Sequence, residues 1–507
     1  ASAGGGGKGM RIAQDVEEVS QAFISSQSEA EKSFGDKRVF IEKFISKPRH
    51  IEIQVLGDKY GNYVHFGERE CSIQRRNQKV IEEAPSPFLK EKTRSEMGKQ
   101  AILLARAVKY FSAGTVEFIV DDRQKFYFLE MNTRLQVEHP VTELVYGVDI
   151  VEEMIRIAGG EKLTIKQSDV KIKGWALESR VYAEDPYRNF LPSTGRITKY
   201  RPPENLVSQN HIVRNDTGVY EGGDISIHYD PMIAKLCTWA KNRKDAVLSM
   251  RKALDEFEIE GIESNLPFLS LVMDNNKFWE GNFTTAFIEE EYSDGIENLE
   301  PSEDLQLKLS AVAACISLLM KYREKLIIYD PIEDKGFFEH RIVIQGKSRF
   351  HFEICKSGKE FVVRIKKKDN FVIEIDWVPG KTLINAKING EELIIKLKIN
   401  ERHLLLAYRG FDVEANVYSV KESEFLKFMK PKAEKDNLNA LMCPMPGLLI
   451  AINVKAGEKV VSGQVLCTVE AMKMENTLHA KQNGTVKLVN FNEGDILAVD
   501  DIIIEFA

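Results

Sequence analysis

The sequence predicts a multidomain α+β protein, and three observations support this fold class. Residues 441–507 contain a duplicated series of short apolar strands separated by glycine turns, which is typical of a small β-sandwich. Before them, one long apolar helix is followed by about eight short alternating strands, as expected for a β-barrel wrapped around a helix. The N-terminal half mixes helical and strand patterns around an acidic hairpin. The chain of 507 residues is long enough for all of these units.

The composition is that of an ordinary globular protein, with 43% hydrophobic and 29% charged residues. The net charge is −7 and no segment is strongly basic, which argues against a nucleic-acid partner. The six cysteines are scattered and form no Cys-x-x-Cys pair, so we expect a reducing compartment without a disulfide framework or structural zinc site. The longest strongly apolar run, residues 309–320, is too short to span a bilayer, and we expect no membrane partner.

The chain opens in a glycine-rich stretch, residues 2–11, which also contains Lys8 and Arg11. Glycines let backbone N–H groups approach a phosphate closely and the cations add charge, although a flexible linker would have a similar composition. A predicted amphipathic helix over 15–33 and a predicted strand over 39–45 follow, which favours a glycine-rich flap over a nucleotide. Because the chain lacks an initiator Met, we expect further sequence upstream.

An acidic hairpin is the most informative pattern in the N-terminal half. Two apolar strands, 114–120 and 126–132, flank a polar turn and place Glu117 opposite Glu130. Like charges directly opposite each other are destabilising, and a hard divalent cation between them removes the conflict. Asn132 points to the same side of the sheet. The pattern predicts a magnesium site, the alternative being two solvent-facing glutamates. Removing either carboxylate should then leave the metal-free protein at least as stable.

The segment after the hairpin places Arg134, Gln136 and Glu138 at alternating positions beside the predicted metal site. A cation next to a general base suits an enzyme that holds and deprotonates a small anion. Upstream, a strand predicted over 50–55 precedes a run of cations that ends near Lys79. Such a run is usually a solvated surface, but this one leads directly into an apolar strand, so we expect it to belong to ordered structure.

The C-terminal region repeats itself, because residues 447–469 and 484–506 align with matching glycines, asparagines and apolar positions. Two such halves would pack as a sandwich with a pseudo-two-fold axis, and the connecting hairpin would hold Lys473 at one exposed end. Lys473 lies between Met472 and Met474. Methionines gain little burial at an exposed tip, and they suit a lysine that carries an attached group better than an ordinary surface lysine.

The middle of the chain predicts a scaffold. A helix over 302–323, with Ser302 as its N-cap, is apolar on most faces and should therefore be enclosed. The alternating strands of 325–420 would form the barrel around it, and they contain no cluster of acids and bases. Residues 427–440 include Pro431 and many charges, as expected for a mobile linker.

These motifs resemble known families. Residues 1–290 look like the ATP-grasp biotin carboxylase family in their glycine-rich flap, acidic hairpin and the segment from Asn132 to Glu143. Glu470-Ala471-Met472-Lys473-Met474 closely resembles the biotin-attachment motif of biotin carboxyl carrier domains. Lipoyl domains share this fold but usually have an aspartate before the lysine and an alanine after it, so biotin is favoured. The whole chain is most similar to the α-subunit family of propionyl-CoA carboxylases. That family also has an N-terminal Rossmann-like domain, which we expect to lie in the missing sequence upstream of residue 1.

The resemblance implies a role for each residue that matches a family motif. The flap over the phosphates would contain Gly6 and Gly7. The ATP contacts would be Glu42, Lys43, Ile45, His50 and Gln74. The Mg²⁺ (or Mn²⁺) ligands would be Glu117, Glu130 and Asn132. The bicarbonate site would consist of Lys79, Arg134, Gln136 and Val137, with Glu138 as the general base. Arg180 would stabilise the enolate of biotin, and Lys473 would carry the covalently attached biotin.

The same resemblance implies five segments. They are the remainder of an ATP-grasp flap domain (1–45), a biotin carboxylase C-terminal ATP-grasp domain (46–290), a domain that docks a β subunit (291–430), a linker (431–440) and a biotin carboxyl carrier domain (441–507).

The activity implied is that of a ligase, the biotin carboxylase component of a propionyl-CoA carboxylase. ATP and Mg²⁺ would drive carboxylation of carrier-bound biotin by bicarbonate, and a carboxyltransferase β subunit would transfer the group to propionyl-CoA, giving methylmalonyl-CoA. Acetyl-CoA or 3-methylcrotonyl-CoA as acceptor, or a catalytically incomplete carrier and docking fragment, are the alternatives. The implied partners are the β subunit, in an α6β6 assembly, and biotin protein ligase. The implied compartment is the bacterial cytoplasm or the mitochondrial matrix.

Overall fold

A computed structural model describes residues 1–3, 9–226, 229–293, 295–296, 299–327, 338–365, 370–400, 403–429, 440–471 and 474–506. Three predicted functional residues, Gly6, Gly7 and Lys473, lie outside these ranges, as does nearly all of the predicted linker.

Helix α1 (Val16–Phe34) forms where the sequence predicts it. The carboxylate of Asp15 caps its start by accepting hydrogen bonds from the backbone N–H groups of Glu17 and Glu18, at 2.9 and 3.0 Å. Gly35 ends it in the left-handed conformation with φ of 69°, which a residue with a side chain rarely adopts.

The strand predicted over 39–45 is wrong, because the structure gives this segment no strand. An extended chain becomes a strand only when a neighbour completes its ladder of hydrogen bonds, and no strand of the described ranges lies beside it. Its apolar side chains Phe40, Ile41 and Phe44 are therefore exposed.

An α/β unit follows, and its core is a nine-stranded antiparallel sheet. The strands are β1 (Arg49–Gly57), β2 (Tyr63–Arg75), β3 (Gln78–Ala84), β4 (Ser112–Val120), β5 (Phe126–Asn132), β6 (Trp175–Tyr182), β7 (Glu184–Asp185), β8 (Leu191–Pro192), β9 (Gly195–Arg196), β10 (Lys199–Arg201), β11 (Leu206–Val207), β12 (His211–Thr217), β13 (Asp224–Ile225), β14 (Met232–Ala240) and β15 (Glu258–Glu260). The helices are α2 (Glu91–Ala107), α3 (His139–Tyr146), α4 (Ile150–Ala158), α5 (Arg243–Glu256), α6 (Leu266–Asp274), α7 (Asn276–Trp279) and α8 (Phe287–Glu291). The order across the large sheet is β11-β12-β14-β6-β3-β2-β1-β4-β5.

The two faces of this sheet differ, because successive side chains on a strand point to opposite sides. On one face, Ile51 and Ile53 of β1 share a core with Met97 of α2, and Leu177 of β6 shares a core with Met250 of α5. The other face of the central strands carries buried polar and charged side chains. Apolar packing of the helices on one face therefore supports a polar site on the other.

Helix α9 (Glu303–Ile327) lies inside a closed eight-stranded barrel, which confirms the predicted barrel around a helix. The strands are β16 (Glu339–Gln345), β17 (Ser348–Ser357), β18 (Glu360–Ile365), β19 (Phe371–Ile375), β20 (Leu383–Ile388), β21 (Glu391–Ile399), β22 (Leu404–Tyr408) and β23 (Phe411–Tyr418), and helix α10 (Val420–Phe425) follows them. Each strand pairs with the next, and β23 closes the barrel on β16.

The enclosed helix is longer than the apolar run 309–320 counted in the sequence. By length and composition alone, Glu303–Glu324 could cross a membrane. However, Leu309, Val312 and Ile316 are fully buried in one core with barrel side chains. The apolar character of α9 is therefore explained by the barrel that surrounds it.

The barrel contacts the α/β unit through the two-residue turn between β22 and β23. Arg409 Nε lies 2.9 Å from Asp255 Oδ2, and its Nη1 lies 3.1 Å from Asp274 Oδ1. Gly410 adopts φ of 83°, and a Cβ at this position would lie 2.4 Å from the carbonyl oxygen of Pro267. The close approach of the turn to α6 therefore requires a glycine.

The C-terminal unit is a sandwich of two four-stranded sheets. Its strands are β24 (Ala440–Met442), β25 (Gly447–Ile452), β26 (Lys459–Val460), β27 (Val465–Ala471), β28 (Met474–His479), β29 (Gly484–Val489), β30 (Ile496–Leu497) and β31 (Ile502–Phe506). The sheet orders are β24-β31-β29-β26 and β28-β27-β25-β30.

Equivalent hydrogen bonds confirm the predicted pseudo-two-fold symmetry of this sandwich. Gly457 N–H donates to the Val486 carbonyl at 2.7 Å, and Gly494 N–H donates to the Leu449 carbonyl at 2.8 Å. Each bond joins one half of the sandwich to the other. The 37-residue shift of the repeat relates Gly457 to Gly494 and Leu449 to Val486, so the two bonds occupy equivalent positions. In the hairpin between β27 and β28, Ala471 is paired with Met474.

Candidate active site

Charged side chains from neighbouring strands meet on the polar face of the large sheet. Strands β6, β3, β2, β1 and β4 are consecutive in this sheet, although they are far apart in the chain. Four of these strands and the segment after β5 contribute the buried or nearly buried groups His50, Glu52, Lys79, Glu82, Glu117, Gln136, Glu138 and Arg180.

Lys79 lies at the centre of this cluster and contacts three carboxylates. Its Nζ is 2.5 Å from Glu52 Oε2, 3.1 Å from Glu117 Oε1 and 2.6 Å from Glu138 Oε1. Burial lowers the pKa of Lys79, but the charge of Glu52 and the other carboxylates outweighs it and raises the pKa well above its usual value. Lys79 is therefore a fixed cation that links three strands to the segment after the acidic hairpin.

Glu138 is held between two cations. Besides Lys79, Arg180 contacts it, with Nη2 2.9 Å from Glu138 Oε2. Arg180 Nε also donates to Glu82 Oε1 at 2.6 Å. Burial raises the pKa of Glu138, but the charges of Lys79 and Arg180 outweigh it and hold this pKa well below its usual range. Glu138 is thus a buried carboxylate whose two oxygens each contact a cation.

The acidic hairpin has the predicted register, with Glu117 paired directly with Glu130 across β4 and β5. The Asn132 amide reaches both, donating to Glu117 Oε1 at 2.9 Å and to Glu130 Oε1 at 3.4 Å. Glu117 is buried, whereas Glu130 is exposed. Two carboxylates and an amide oxygen within one hairpin fit a hard divalent cation such as Mg²⁺.

Glu117 is engaged by more than Asn132, which changes the expected effect of removing it. His50 Nε2 lies 2.8 Å from Glu117 Oε2, and Gln136 Nε2 donates to Glu117 Oε1 at 2.7 Å. Burial raises the pKa of Glu117, but the hydrogen bond from His50 and the charge of Lys79 outweigh it and lower the pKa to about 2. The sequence-based expectation that the metal-free protein would not lose stability therefore applies to Glu130 and not to Glu117.

Sequence reasoning missed two residues that build this site, Glu52 and Arg69. Arg69 is fully buried, and it donates to Glu52 at 2.5 Å, to Gln54 at 2.6 Å and to Gln136 at 2.8 Å. It therefore orients both Glu52 and the segment that carries Glu138. Glu52 had a signal, since it alternates with His50 in a predicted strand, but nothing in the local pattern distinguished Arg69.

Two further residues of the predicted bicarbonate site, Arg134 and Val137, have different surroundings. Arg134 is exposed, donates to the adjacent Leu135 carbonyl at 3.2 Å, and lines a cavity of about 380 Å³ with Lys109 and Phe111. The Val137 carbonyl accepts a hydrogen bond from Lys235 Nζ at 3.1 Å. The guanidinium of Arg134 therefore contacts neither Glu138 nor Lys79 in this structure.

The predicted ATP contacts divide into two groups. Gln74 Nε2 and His50 Nδ1 lie 2.9 Å apart, so these two side chains belong to the cluster. Glu42 and Lys43 are exposed and Ile45 is half-buried in the segment that lacks strand structure. Among the described residues, no hydrogen bond or ion pair joins Glu42 or Lys43 to the cluster.

Comparison with known families accounts for every unit of this architecture. The model described as carbamoyl-phosphate synthase L chain, ATP binding domain, matches residues 1–166, and the biotin carboxylase C-terminal domain matches 178–290. The propionyl-coenzyme A carboxylase BT domain matches 309–432, and the model described as biotin-requiring enzyme matches 439–506.

Individual relatives agree with these models. The propionyl-CoA carboxylase alpha chain of Ruegeria pomeroyi is 52% identical over 100% of this chain and 77% of its own length. The human mitochondrial propionyl-CoA carboxylase alpha chain is 44% identical over 100% of this chain and 70% of its own. The biotin carboxylase domain of Hydrogenobacter thermophilus 2-oxoglutarate carboxylase, solved with MgADP, ADP and bicarbonate, is 47% identical with a TM-score of 0.55, over 57% of this chain and 63% of that one.

These relationships agree with the site, in which an acidic hairpin lies beside a carboxylate held by two cations. They show a ligase-type enzyme component of the biotin carboxylase class, with ATP, Mg²⁺ and biotin as its cofactors. The chain belongs to the family of propionyl-CoA carboxylase alpha chains.

Proposed function

We propose that this chain uses ATP and bicarbonate to carboxylate biotin attached to Lys473. A carboxyltransferase β subunit, which family membership implies in general terms, then transfers the carboxyl group to propionyl-CoA, giving methylmalonyl-CoA. The names of the relatives and the match of the barrel to the BT domain model support propionyl-CoA as the acceptor.

The observation that carries the proposal is the position of Glu138 between Lys79 and Arg180, at 2.6 and 2.9 Å. Bicarbonate is a poor electrophile that must lose its proton and be activated by phosphorylation. Glu138 is the group that takes the proton, and Lys79 holds the resulting anion next to it. Arg134, Gln136 and Val137 complete the bicarbonate site, and Arg180 stabilises the negative charge that develops on biotin.

Glu117, Glu130 and Asn132 are the residues that would hold Mg²⁺. When bound, Mg²⁺ supplies positive charge to the ATP phosphates and biotin supplies the ureido nitrogen that receives the carboxyl group. The chain's own contribution at this site is to keep two glutamates opposed across one hairpin, with the buried Glu117 oriented by His50 and Gln136.

The other assignments follow the family resemblance. Gly6, Gly7, Glu42, Lys43, Ile45, His50 and Gln74 are proposed to contact ATP. The domain boundaries are proposed as 1–45, 46–290, 291–430, 431–440 and 441–507. The family-model ranges support the boundaries near residues 290, 430 and 440, whereas the match over 1–166 continues across residue 45. Biotin protein ligase is the proposed modifying partner, α6β6 the proposed assembly, and the bacterial cytoplasm or mitochondrial matrix the proposed compartment, since the relatives include bacterial and mitochondrial chains.

A second acceptor is supported by one relative, because the mouse methylcrotonoyl-CoA carboxylase subunit alpha is 38% identical over 97% of this chain and 69% of its own length. A carrier and docking role without chemistry is the other alternative. Both are outcomes of the same assay. An active enzyme that prefers a methylcrotonyl acceptor would support the first, and binding of a β subunit without ATP cleavage would support the second.

The test follows labelled bicarbonate into protein-bound biotin in the presence of MgATP, and then into acyl-CoA after the β subunit is added. Glu138→Gln should lower the first step by at least about 100-fold, because it removes the general base. The control is Glu152→Gln, which changes an exposed glutamate on α4 that pairs with the exposed Arg156, away from the cluster. If Glu138→Gln fixes bicarbonate as fast as the control variant, the proposed role of Glu138 is wrong.

A further inference from the structure

Three acidic groups form a row across the centre of the sheet. The strand register places Glu82 of β3 opposite Glu178 of β6, and Glu178 opposite Cys237 of β14. All three side chains are fully buried. Arg180 lies two residues from Glu178 on the same face of β6, so the row is adjacent to the proposed active site.

The hydrogen bonds of this row leave one oxygen of each carboxyl group without a partner. Glu82 Oε1 accepts from Arg180 Nε at 2.6 Å, whereas Glu82 Oε2 has no partner in the described part of the chain. Glu178 Oε2 accepts a weak bond from Cys237 Sγ at 3.4 Å, whereas Glu178 Oε1 also has no partner there. A buried oxygen without a hydrogen bond is costly, and two such oxygens on opposed residues point to one missing hydrogen.

In the described part of the chain, no cation forms an ion pair with Glu178, although Lys235 and Arg180 act on it from farther away. The charged and titratable groups that face it are Glu82, Glu138, Arg180, Lys235 and Cys237. Its two cationic neighbours are engaged elsewhere, because Arg180 contacts Glu82 and Glu138, and Lys235 contacts the Val137 carbonyl and Asp216.

Glu82 differs from Glu178 in having a direct cationic partner. Arg180 contacts it, while Glu138 and Lys79 act on it from farther away. Burial raises the pKa of Glu178 well above its usual range, and the charge of Glu82 raises it further. Burial also raises the pKa of Glu82, to about 7, although Arg180 opposes this effect. Of the two opposed groups, Glu178 therefore binds a proton more readily, and Glu82 is the one that keeps its charge.

We propose that Glu178 is protonated in the folded protein and donates a hydrogen bond from Oε1 to Glu82 Oε2. One proton then satisfies both orphan oxygens and leaves Glu82 as the anion that holds Arg180. Glu82 and Glu178 are positioning residues for Arg180, and this inference rests on the proposed role of Arg180 toward biotin. Without the proton, Glu82 and Glu178 would be two like charges opposite each other inside the sheet. Their repulsion would disturb the contact between Glu82 and Arg180.

The first test observes the proton directly by infrared spectroscopy near neutral pH. The difference spectrum between the wild-type protein and Glu178→Gln should contain the carbonyl stretch of a protonated carboxylic acid. The control is Glu68→Gln. Glu68 is equally buried, but its two oxygens accept from Arg94 Nε at 2.8 and 2.9 Å, so apart from the amide bands of the new glutamine its difference spectrum should contain carboxylate bands and no protonated-acid band. A wild-type minus Glu178→Gln spectrum without the protonated-acid band would overturn the proposal. Because this readout needs no turnover, it stands apart from the proposed enzymatic function.

The second test asks whether the hydrogen bond positions Arg180. Glu178→Gln keeps a donor that can reach Glu82, whereas Glu178→Leu keeps the size but removes the donor. We expect Glu178→Leu to lower kcat for biotin carboxylation about 10- to 100-fold, with KM for ATP unchanged, and Glu178→Gln to recover most of this loss. Equal losses in the two variants would show that a donor at residue 178 does not position Arg180 and would overturn the positioning role. If Glu178→Leu does not fold, the infrared comparison and the kcat of Glu178→Gln still test the proposal. A 10-fold or larger loss of kcat in Glu178→Gln relative to wild type would contradict it.

Discussion

Lys79 and Glu138 form an ion pair in which Nζ and Oε1 are 2.6 Å apart. Glu138 is the proposed general base, and its pKa is held well below its usual range by Lys79 and Arg180 against the effect of burial. A base with so low a pKa is fully ionised but accepts a proton weakly. An anionic substrate that draws Lys79 away from Glu138 would raise this pKa, so substrate binding itself would strengthen the base.

The first prediction concerns the pH dependence of biotin carboxylation. Lys79→Met removes the nearest cation, so the pKa of Glu138 should rise. Because Glu138 acts as a base only when it is ionised, activity is lost as pH falls through this pKa. The acidic limb of the kcat/KM profile should therefore move to higher pH in Lys79→Met, on top of an overall loss of activity from the missing anion contact. Lys99→Met, an exposed lysine on α2, is the control. An acidic limb at the wild-type position would contradict the coupling.

The second prediction separates the two glutamates of the metal site. Glu117→Gln and Glu130→Gln should both greatly weaken Mg²⁺-dependent ATP cleavage. Their stabilities should differ, because Glu117 is buried among His50, Lys79 and Gln136 while Glu130 is exposed. In urea unfolding without metal, Glu117→Gln should lose about 1–3 kcal/mol and Glu130→Gln less than about 0.5 kcal/mol.

The stabilising effect of Glu117 should also depend on pH. Its pKa is lowered from 4.5 to about 2 in the folded protein. The stabilising contribution of Glu117 is therefore fully present above the pKa of Glu117 in the unfolded chain. It is lost as pH falls through the pKa of Glu117 in the folded protein. The stability difference between wild type and Glu117→Gln should shrink over that range. Equal urea midpoints for both glutamine variants at neutral pH would rule out this account of the site.

The third prediction is that biotin is attached at Lys473 alone. The prediction rests on the sequence motif and the symmetric sandwich, since Lys473 itself lies outside the described residues. Intact-mass measurement after co-expression with a biotin ligase should show one added biotin, absent in Lys473→Arg. Lys481→Arg, an exposed lysine of the same sandwich, should be labelled as wild type is. Retention of biotin in Lys473→Arg would reject the assignment.

The fourth prediction tests the contact between the barrel and the α/β unit. Gly390 and Gly410 occupy the same position in two-residue hairpin turns of the barrel, with φ of 90° and 83°. Both Gly→Ala changes strain the backbone by about 1–2 kcal/mol. Only at residue 410 does the new Cβ meet the carbonyl of Pro267, whereas nothing lies within 4 Å at residue 390.

Gly410→Ala should therefore cost about 1–3 kcal/mol more than Gly390→Ala. Thermal or urea unfolding of the two variants measures the difference. Equal destabilisation would mean that the barrel turn does not pack against α6 in solution.

The features that the sequence determined by itself are local along the chain. The opposition of Glu117 and Glu130 follows from a short hairpin, in which the turn sets the register of the two strands. The symmetry of the sandwich follows from a tandem repeat whose halves must fold alike, and the lysine motif is a short continuous segment. Because these features need only neighbouring residues, the pattern of residue types was enough to predict them.

The ion-pair network was decided only by the tertiary structure. Lys79 meets Glu52 and Glu138, and Glu82 meets Glu178, because β6, β3, β2, β1 and β4 lie side by side in an order that differs from their order in the chain. Strand order depends on which apolar faces the helices cover, and this is a property of the whole core. The prediction of a strand over 39–45 failed because it also depended on tertiary neighbours. An alternating pattern shows that a segment can join a sheet, but the neighbouring strands decide whether it does.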